Sequence, residues 1–147
     1  MPVIETEAFI PAPPERVYAA AKQIERFPEF MSNVQEVEVI ERSGSRVISR
    51  WVAPVKEFNR TIKWIEQDDW NDDTRVAAFR ATEGDWDKYE GVWGFEEHSQ
   101  GTRAYIKLDF ELEVPLIGPL IKGLLRRLVL RNAEETLRGI ARMVGAD

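Results

Sequence analysis

The stretch that decides the fold is PLIKGLLRRLVLRNAEETLRGIARMV, residues 119–144 of a chain of 147 residues. Its apolar residues recur at the i, i+3, i+4, i+7 spacing that is typical of an amphipathic α-helix with one buried stripe. That stripe is predicted to contain Leu120, Ile121, Leu124, Leu125, Leu128, Ala133, Thr136, Leu137, Ile140 and Val144, with Asn132 beside Ala133. A curved antiparallel sheet wrapped around such a helix leaves a space, which side chains or a lipophilic guest can fill.

The residues before this helix predict two short helices and about seven strands. Val3–Ile10 alternates as a first strand, and a proline-rich turn leads into a helix over residues 14–23 and a second short helix from residue 24. Six further strands are predicted over residues 34–41, 46–55, 58–67, 75–82, 88–97 and 102–114. Residues 68–74, DDWNDDT, are predicted to form a turn-rich loop because Asp and Asn favour turns.

The last of these strands has the clearest alternation. Its apolar face consists of Ala104, Ile106, Leu108, Phe110, Leu112 and Val114. The opposite face is mostly charged, as expected for an antiparallel sheet that is covered on one side. The order strand, two helices, six strands and long helix predicts one α+β domain over residues 1–147.

Charge and composition exclude several functions. The net charge of −6 and the pI near 5.0 argue against sequence-independent nucleic-acid binding, which requires a positive surface. The chain has no cysteine, no apolar run long enough to cross a membrane and no signal-peptide pattern, so we expect a cytoplasmic protein. No metal or cofactor is predicted, because no metal-ligand spacing or phosphate-binding loop occurs. His98, the only histidine, borders a predicted turn and is more typical of a surface residue than of a catalyst.

Aromatic residues are concentrated in and beside the predicted strands. Those that could line a concave face are Trp51, Phe58, Trp64, Phe79, Tyr89, Trp93, Phe95 and Phe110. Such rings offer a large apolar area with little side-chain entropy to lose, which suits a planar or isoprenoid guest. The same rings could instead form a plain core without a cavity.

A few other residues are predicted to join this lining. Arg60 shares a strand face with Ile62 and is a candidate donor to a ligand carbonyl or carboxylate, unless a twist returns it to solvent. Ser49 lies among apolar strand residues, and Gly91 and Gly94 indicate a bend or a close approach by another group. The inward side of the last helix contributes Leu124, Leu128, Asn132 and Thr136.

Four segments in a fixed order carry a resemblance to a known family. They are PPERVYAAAKQIERFPEFM at residues 13–31, GDWDKYEGVWGF at 84–95, LDFELEV at 108–114, and the closing helix. Together they resemble the START-like superfamily with the helix-grip fold, and within it the polyketide cyclase/dehydrase group. That group includes coenzyme Q-binding START-domain proteins and the bacterial ribosome-association toxin. The resemblance covers essentially the whole chain, although Val92 stands where many members have a second glycine.

The resemblance implies a deep apolar cavity between the sheet and the last helix, and it leaves three functions open. The first is a carrier or chaperone of a lipid, polyprenyl quinone or similar hydrophobic molecule. The second is a cyclase or aromatase, which the sequence disfavours because no acid–base pair or other catalytic constellation is evident; the catalytic residues are therefore unknown. The third is a ribosome-interacting protein, which the negative net charge disfavours.

Two surface features bear on partners. The last helix carries a cluster of arginines, namely Arg126, Arg127, Arg131, Arg138 and Arg142. The simplest interpretation is a solvated face paired with Glu134 and Glu135, and the alternative is a ribosome-directed face. Leu116 and Ile117 lie in an apolar loop that either covers the core or makes transient contact with a membrane.

Overall fold

The computed structural model describes residues 3–113 and 119–146, and the side chains of the last helix from residue 122 onward. The strands are β1 (Val3–Ile10), β2 (Glu36–Ser43), β3 (Arg46–Val55), β4 (Arg60–Asn71), β5 (Val76–Gly84), β6 (Lys88–His98) and β7 (Gly101–Glu111). They form one antiparallel sheet in the spatial order β1-β7-β6-β5-β4-β3-β2. Strands β2 to β7 are thus sequential neighbours, and β1 pairs with β7.

The helices are α1 (Pro14–Ala21), α2 (Phe27–Phe30) and α3 (Pro119–Met143), with single 3₁₀ turns at Ile24–Arg26 and Lys56–Phe58. A proline stands in the first turn of α1 and of α2, where its missing N–H is not needed and its fixed φ fits. α1 ends two residues before its predicted end at residue 23. The predicted α+β helix-grip architecture, with about seven strands around a long last helix, is confirmed.

The sheet presents its buried side to α3. The alternation predicted for β7 is confirmed, because Ala104, Ile106, Leu108 and Phe110 are all buried, whereas Val114 lies outside the described residues. α3 contributes a buried stripe of Leu125, Val129, Ala133, Leu137 and Ile140, and Val144, directly after the helix, continues it. Its main neighbours in the described chain are β1, α1 and α2, with a smaller contact to β7. The concave face formed by β3 to β6 is therefore covered less closely by the helix.

Polar contacts tie the C-terminal half of α3 to the segments that follow α1. The Arg142 guanidinium donates to the Phe30 carbonyl oxygen at 2.7 Å and to Glu135 at 3.3 Å. Glu135 also accepts hydrogen bonds from the backbone and hydroxyl of Ser32 and pairs with Arg138 at 3.4 Å. The arginine face is thus partly paired as expected, but the described partner of Arg138 is Glu135 and not Glu134.

The prediction of a loop over residues 68–74 was wrong for its first half. β4 continues to Asn71, and the turn follows it, with the Asn71 side-chain oxygen accepting the backbone N–H groups of Asp73 and Thr74. Asp68 is fully buried and Trp70 is 4% exposed. The period-2 alternation of the strand overrides the turn preference of Asp, because every second residue up to Trp70 faces the interior.

The two glycines of β6 mark close approaches. A Cβ at Gly91 would overlap the Lys107 carbonyl oxygen and the Leu108 backbone on β7. A Cβ at Gly94 would overlap the Tyr105 ring. The structure therefore shows a close approach by another group at both glycines. The other explanation, a bend from strong sheet curvature, was the default expectation and stays a prediction.

Replacing Gly91 by Ala is expected to destabilise the protein by about 1–3 kcal/mol, because the new methyl group meets backbone that cannot rotate away. Chemical denaturation followed by circular dichroism measures this. Gly123→Ala is the matched control, since nothing lies within 4 Å of its added Cβ and Ala favours an exposed helix by about 1 kcal/mol. Equal stability of G91A and the wild type would contradict the proposed overlap.

Candidate functional site

Two adjoining chambers lie between the concave face of the sheet and α3. Of the described residues, the outer chamber, with a volume of about 170 Å³, is lined by Ala53, Val55, Phe58, Arg60, Ile62, Trp64, Trp86, Tyr89, Leu112, Leu125, Leu128, Val129 and Asn132. The inner chamber, of about 50 Å³, is lined by Phe27, Val34, Trp51, Ala53, Trp64, Glu66, Phe79, Tyr89, Trp93, Ile106, Leu108, Asn132, Ala133 and Thr136. One water needs roughly 10–15 Å³ of such space, so both chambers have room for atoms that these residues do not supply.

Aromatic rings form the partition between the two chambers. Trp64, Tyr89, Ala53 and Asn132 line both of them. The Trp64 and Tyr89 ring centroids are 5.5 Å apart, and each ring is stacked on another indole. Trp64 stacks on Trp51 with centroids 5.9 Å apart, and Tyr89 on Trp86 at 4.7 Å. A guest that occupies both chambers must therefore displace or slide between stacked rings.

Most of the residues predicted from the sequence to line a cavity do lie along these chambers. Phe58, Arg60, Ile62 and Leu128 line the outer chamber. Trp51, Phe79, Trp93 and Thr136 line the inner chamber. Trp64, Tyr89 and Asn132 line both. Their shared location does not by itself test whether they bind a ligand.

The structure places four other predicted residues away from the lining. Phe95 is buried against Tyr18, and Phe110 is buried against the edge of Trp86. Ser49 is fully buried and accepts the indole N–H of Trp51 at 2.8 Å. Leu124 is half-buried on α3. Phe95, Phe110 and Ser49 support rings that line the chambers, because they contact Trp93, Trp86 and Trp51, respectively. A residue on the interior face of the sheet thus does not always face the cavity.

Arg60 lies between the two alternatives stated for it, and its role as a donor to a ligand stays a prediction. It is the first residue of β4 and lines the outer chamber, and it remains exposed. A guanidinium in that position can keep its hydration while one donor reaches a guest at the mouth of the chamber.

A pair of buried carboxyl groups at the inner chamber was missed by the sequence-based prediction. Glu66 is 5% exposed and lines the inner chamber, and Asp68 is 0% exposed on the same strand face. The Trp64 indole N–H donates to Glu66 Oε1 at 3.0 Å. The Trp93 indole and the Glu66 carboxyl lie close enough to Asp68 to influence its pKa, but neither makes a hydrogen bond of ordinary geometry with it.

Burial controls the protonation of this pair. Loss of hydration raises the pKa of Glu66, and the nearby Asp68 carboxyl group and the hydrogen bond from the Trp64 indole N–H act in the opposite direction. Burial and the neighbouring Glu66 charge raise the pKa of Asp68 well above its ordinary range. Burial also raises the pKa of Tyr89, and the two carboxyl groups raise it further. Tyr89 therefore stays protonated at neutral pH, and of the two carboxyl groups Asp68 is the one that holds its proton more strongly.

The pattern W-x-E-x-D-x-W at residues 64–70 carries the information that would have revealed the pair. Two acids at i and i+2 between two tryptophans share one strand face with them, so they are buried if the tryptophans are. The assignment of Asp68 to a loop hid this relation. A β-bulge opposite Ile65 and Glu66, where Thr82 is the extra residue of β5, marks the same place in the structure.

The family model for polyketide cyclase / dehydrase and lipid transport matches residues 10–136 of this chain. The chain belongs to this family. The resemblance to the START-like superfamily and its polyketide cyclase/dehydrase group is therefore confirmed.

Three relatives illustrate the similarity. The crystal structure of TTHA0849 from Thermus thermophilus is 39% identical in sequence, with a TM-score of 0.93 over 99% of this chain and 98% of that protein. The ZhuI aromatase/cyclase from Streptomyces sp. R1128 shares the fold, with 17% identity and a TM-score of 0.88 over 97% of this chain and 93% of that protein. A provisionally named polyketide cyclase from Streptomyces cyaneus is 28% identical over 110 residues, or 74% of this chain and 72% of the relative.

None of the described helices combines the length and the apolar character needed to cross a bilayer. His98 is exposed and contacts the ring of Phe9 at the far edge of the sheet, so it lies apart from both chambers.

Asp68→Asn is expected to change how stability depends on pH. The pKa of Asp68 is higher in the native state than in the unfolded chain, so the native state binds this proton more tightly. The resulting stabilisation is present in full at pH values below the unfolded pKa of about 3.9 and is lost as the pH rises through the native pKa. The wild type should lose up to about 1.4 kcal/mol per pH unit over that window, and D68N should not. Urea unfolding between pH 4 and pH 8 measures both curves.

The exposed turn residue Asp73 provides the control, because Asp73→Asn leaves the buried pair intact. A D68N curve that runs parallel to the wild-type curve at all pH values would show that Asp68 does not hold a proton in the native state.

Proposed function

We propose that this protein binds a hydrophobic small molecule in the two chambers and acts as its carrier or chaperone. The observation that carries the proposal is the aromatic, almost wholly apolar lining under α3. A flat or isoprenoid compound such as a polyprenyl quinone or another lipid fits such a lining, since burial of apolar area is worth about 25 cal/mol per Å². The outer chamber alone is similar in volume to an engineered cavity of about 150 Å³ that binds benzene.

The polar atoms of the outer chamber would orient the guest. Asn132 faces both chambers, while its carbonyl oxygen is already used by Thr136 at 3.0 Å and by Asn33 at 3.2 Å. The Thr136 hydroxyl is occupied within the helix, so it is a weaker candidate for ligand contact than was expected from the sequence. The Asn132 amide and the Arg60 guanidinium are the groups best placed to meet a carbonyl or other acceptor on the guest.

A cyclase or aromatase activity is the second candidate, and Glu66 is the observation that favours it. A carboxyl group in an apolar chamber can move protons at a reactive carbon chain, which is the acid–base chemistry that was not evident in the sequence. Incubation with a poly-β-ketone chain and analysis of the products tests this activity. Loss of turnover in Glu66→Gln with retained binding would support it, and absence of turnover in the wild type would exclude it for that substrate.

The ribosome and membrane partners predicted from the sequence receive no support from the family or from the described structure. Arg131 pairs with Glu57 at 3.6 Å, and Arg126 donates to the Val3 carbonyl oxygen at 3.1 Å. Leu116 and Ile117 lie outside the described residues.

The carrier proposal predicts that Trp64→Leu weakens binding of the fluorescent aromatic probe 1-aminoanthracene about tenfold. The reason is that the smaller side chain forfeits about 1.5 kcal/mol of apolar contact with the guest. Trp70→Leu is the matched control, because Trp70 is equally buried on the same face of β4 but lines neither chamber. Fluorescence titration measures affinity once circular dichroism has shown that both variants fold.

Unchanged affinity in folded W64L would mean that the probe binds elsewhere. Native mass spectrometry of the purified wild type, followed by extraction, then identifies the natural ligand class from any stoichiometric lipophilic adduct.

A further inference from the structure

The inner chamber ends on a row of polar atoms that the aromatic lining does not explain. Trp64, Glu66 and Asp68 follow one another on the interior face of β4, and Phe79 of β5 pairs directly with Asp68. The rings of Tyr89 and Trp93 border the same chamber from β6. Two carboxyl groups are thus enclosed by apolar rings, where an uncompensated polar group is costly.

The hydrogen-bonding capacity of this row is only partly used. Glu66 employs Oε1 to accept the Trp64 N–H. Both Asp68 oxygens and the Trp93 indole nitrogen are buried without a hydrogen-bond partner of ordinary geometry in the described chain. Trp93 is 4% exposed and lines the chamber, and its N–H lies beside Asp68. Because the Asp68 oxygens and the Trp93 nitrogen are covered and lie beside one another, the carboxyl group that a guest in the chamber can reach is that of Glu66, which is on the lining.

No described cation compensates the charge of the pair. Tyr89 of β6 faces the pair, and burial raises the pKa of its hydroxyl, so it stays neutral. Asp69 of β4 adds a further negative charge that raises the pKa of Asp68. The part of α3 that lines the chamber contributes Asn132, Ala133 and Thr136, which carry no charge. A second anion would therefore meet repulsion in a region of low dielectric constant.

We infer that the inner chamber is a subsite for an uncharged hydroxyl group of the ligand, which donates a hydrogen bond to Glu66, and that the Glu66 and Asp68 pair excludes carboxylates. A hydroxyl group can donate to the Glu66 carboxylate on the chamber lining, which a ketone or a hydrocarbon cannot do. The inner volume of about 50 Å³ admits such a group with a few carbon atoms. This inference rests on the proposed function. It narrows the class of ligands to molecules with a phenolic or alcoholic hydroxyl group and excludes fatty acids, which carry a carboxylate.

Three probes of one shape test the inference: naphthalene, 2-naphthol and 2-naphthoate. The wild type at pH 7.5 should bind 2-naphthol about tenfold more tightly than naphthalene, because a hydrogen bond to a charged group is worth about 1.5 kcal/mol or more. It should bind 2-naphthoate more weakly than naphthalene. Calorimetric or fluorescence titration measures all three affinities.

Glu66→Gln should raise the affinity for 2-naphthoate at least tenfold relative to naphthalene, because it removes the charge and keeps the size. Asp73→Asn is the matched control, since Asp73 is an exposed turn residue that lines neither chamber, and its replacement removes one negative charge and should leave the three affinities in the wild-type order. The three-probe comparison on the wild type stands even if E66Q folds poorly.

The possible outcomes separate this inference from the proposed function. Binding of naphthalene with no preference for 2-naphthol, or with equal binding of 2-naphthoate, overturns the hydroxyl subsite and leaves the carrier proposal intact. Failure of all three probes to bind the wild type overturns the carrier proposal and the subsite with it.

Discussion

The position of α3 on the sheet is the constraint on which the rest of the structure depends. The helix packs against β1, α1 and α2, at one side of a concave sheet of seven strands. It is too narrow to fill the space over β3 to β6 as well, because a helix with its side chains is only about 10–12 Å wide. Large rings from these strands fill most of that space, and what they leave becomes the two chambers. The cavity is thus a consequence of helix placement and not of missing side chains.

Burial of the carboxyl pair beside the inner chamber lowers the stability of the fold. Burial of Glu66 and Asp68 raises the pKa of both groups, so the native state binds protons more tightly at this pair than the unfolded chain does, and stability is lost as the pH rises. A leucine at position 68 would avoid this penalty. Natural proteins commonly keep buried polar groups that lower their stability at sites of function, where such a group serves recognition or chemistry. The location of the pair at the end of an otherwise apolar chamber agrees with that expectation.

Much of the fold could be predicted from the sequence, for identifiable reasons. The spacing in α3 and the alternation in β7 are long, regular patterns, and the helix and the buried face of β7 were confirmed in the described residues. The buried stripe of α3 includes Val129, which was not predicted, and leaves Leu124 and Leu128 half-buried. The site was harder to predict, because Phe95 and Phe110 face inward as expected but are covered by other rings, and only the relative tilt of helix and sheet decides this. Asp68 was assigned to a loop since aspartate favours turns, and the flanking tryptophans proved the better guide.

The contacts of α3 are also unequal along its length. Arg142 and Glu135 fasten the C-terminal half to Phe30 and Ser32, and Arg16 adds a hydrogen bond to the Val144 carbonyl oxygen at 2.9 Å. Toward the other end, Arg126 makes one exposed hydrogen bond to β1. Among the described side chains of α3, from residue 122 onward, the polar contacts are thus concentrated in the C-terminal half, so a guest larger than the two chambers gains room at least cost by tilting the helix about that attachment. The outer chamber, lined by Leu125 and Leu128, lies beside the half of the helix that has fewer of these contacts.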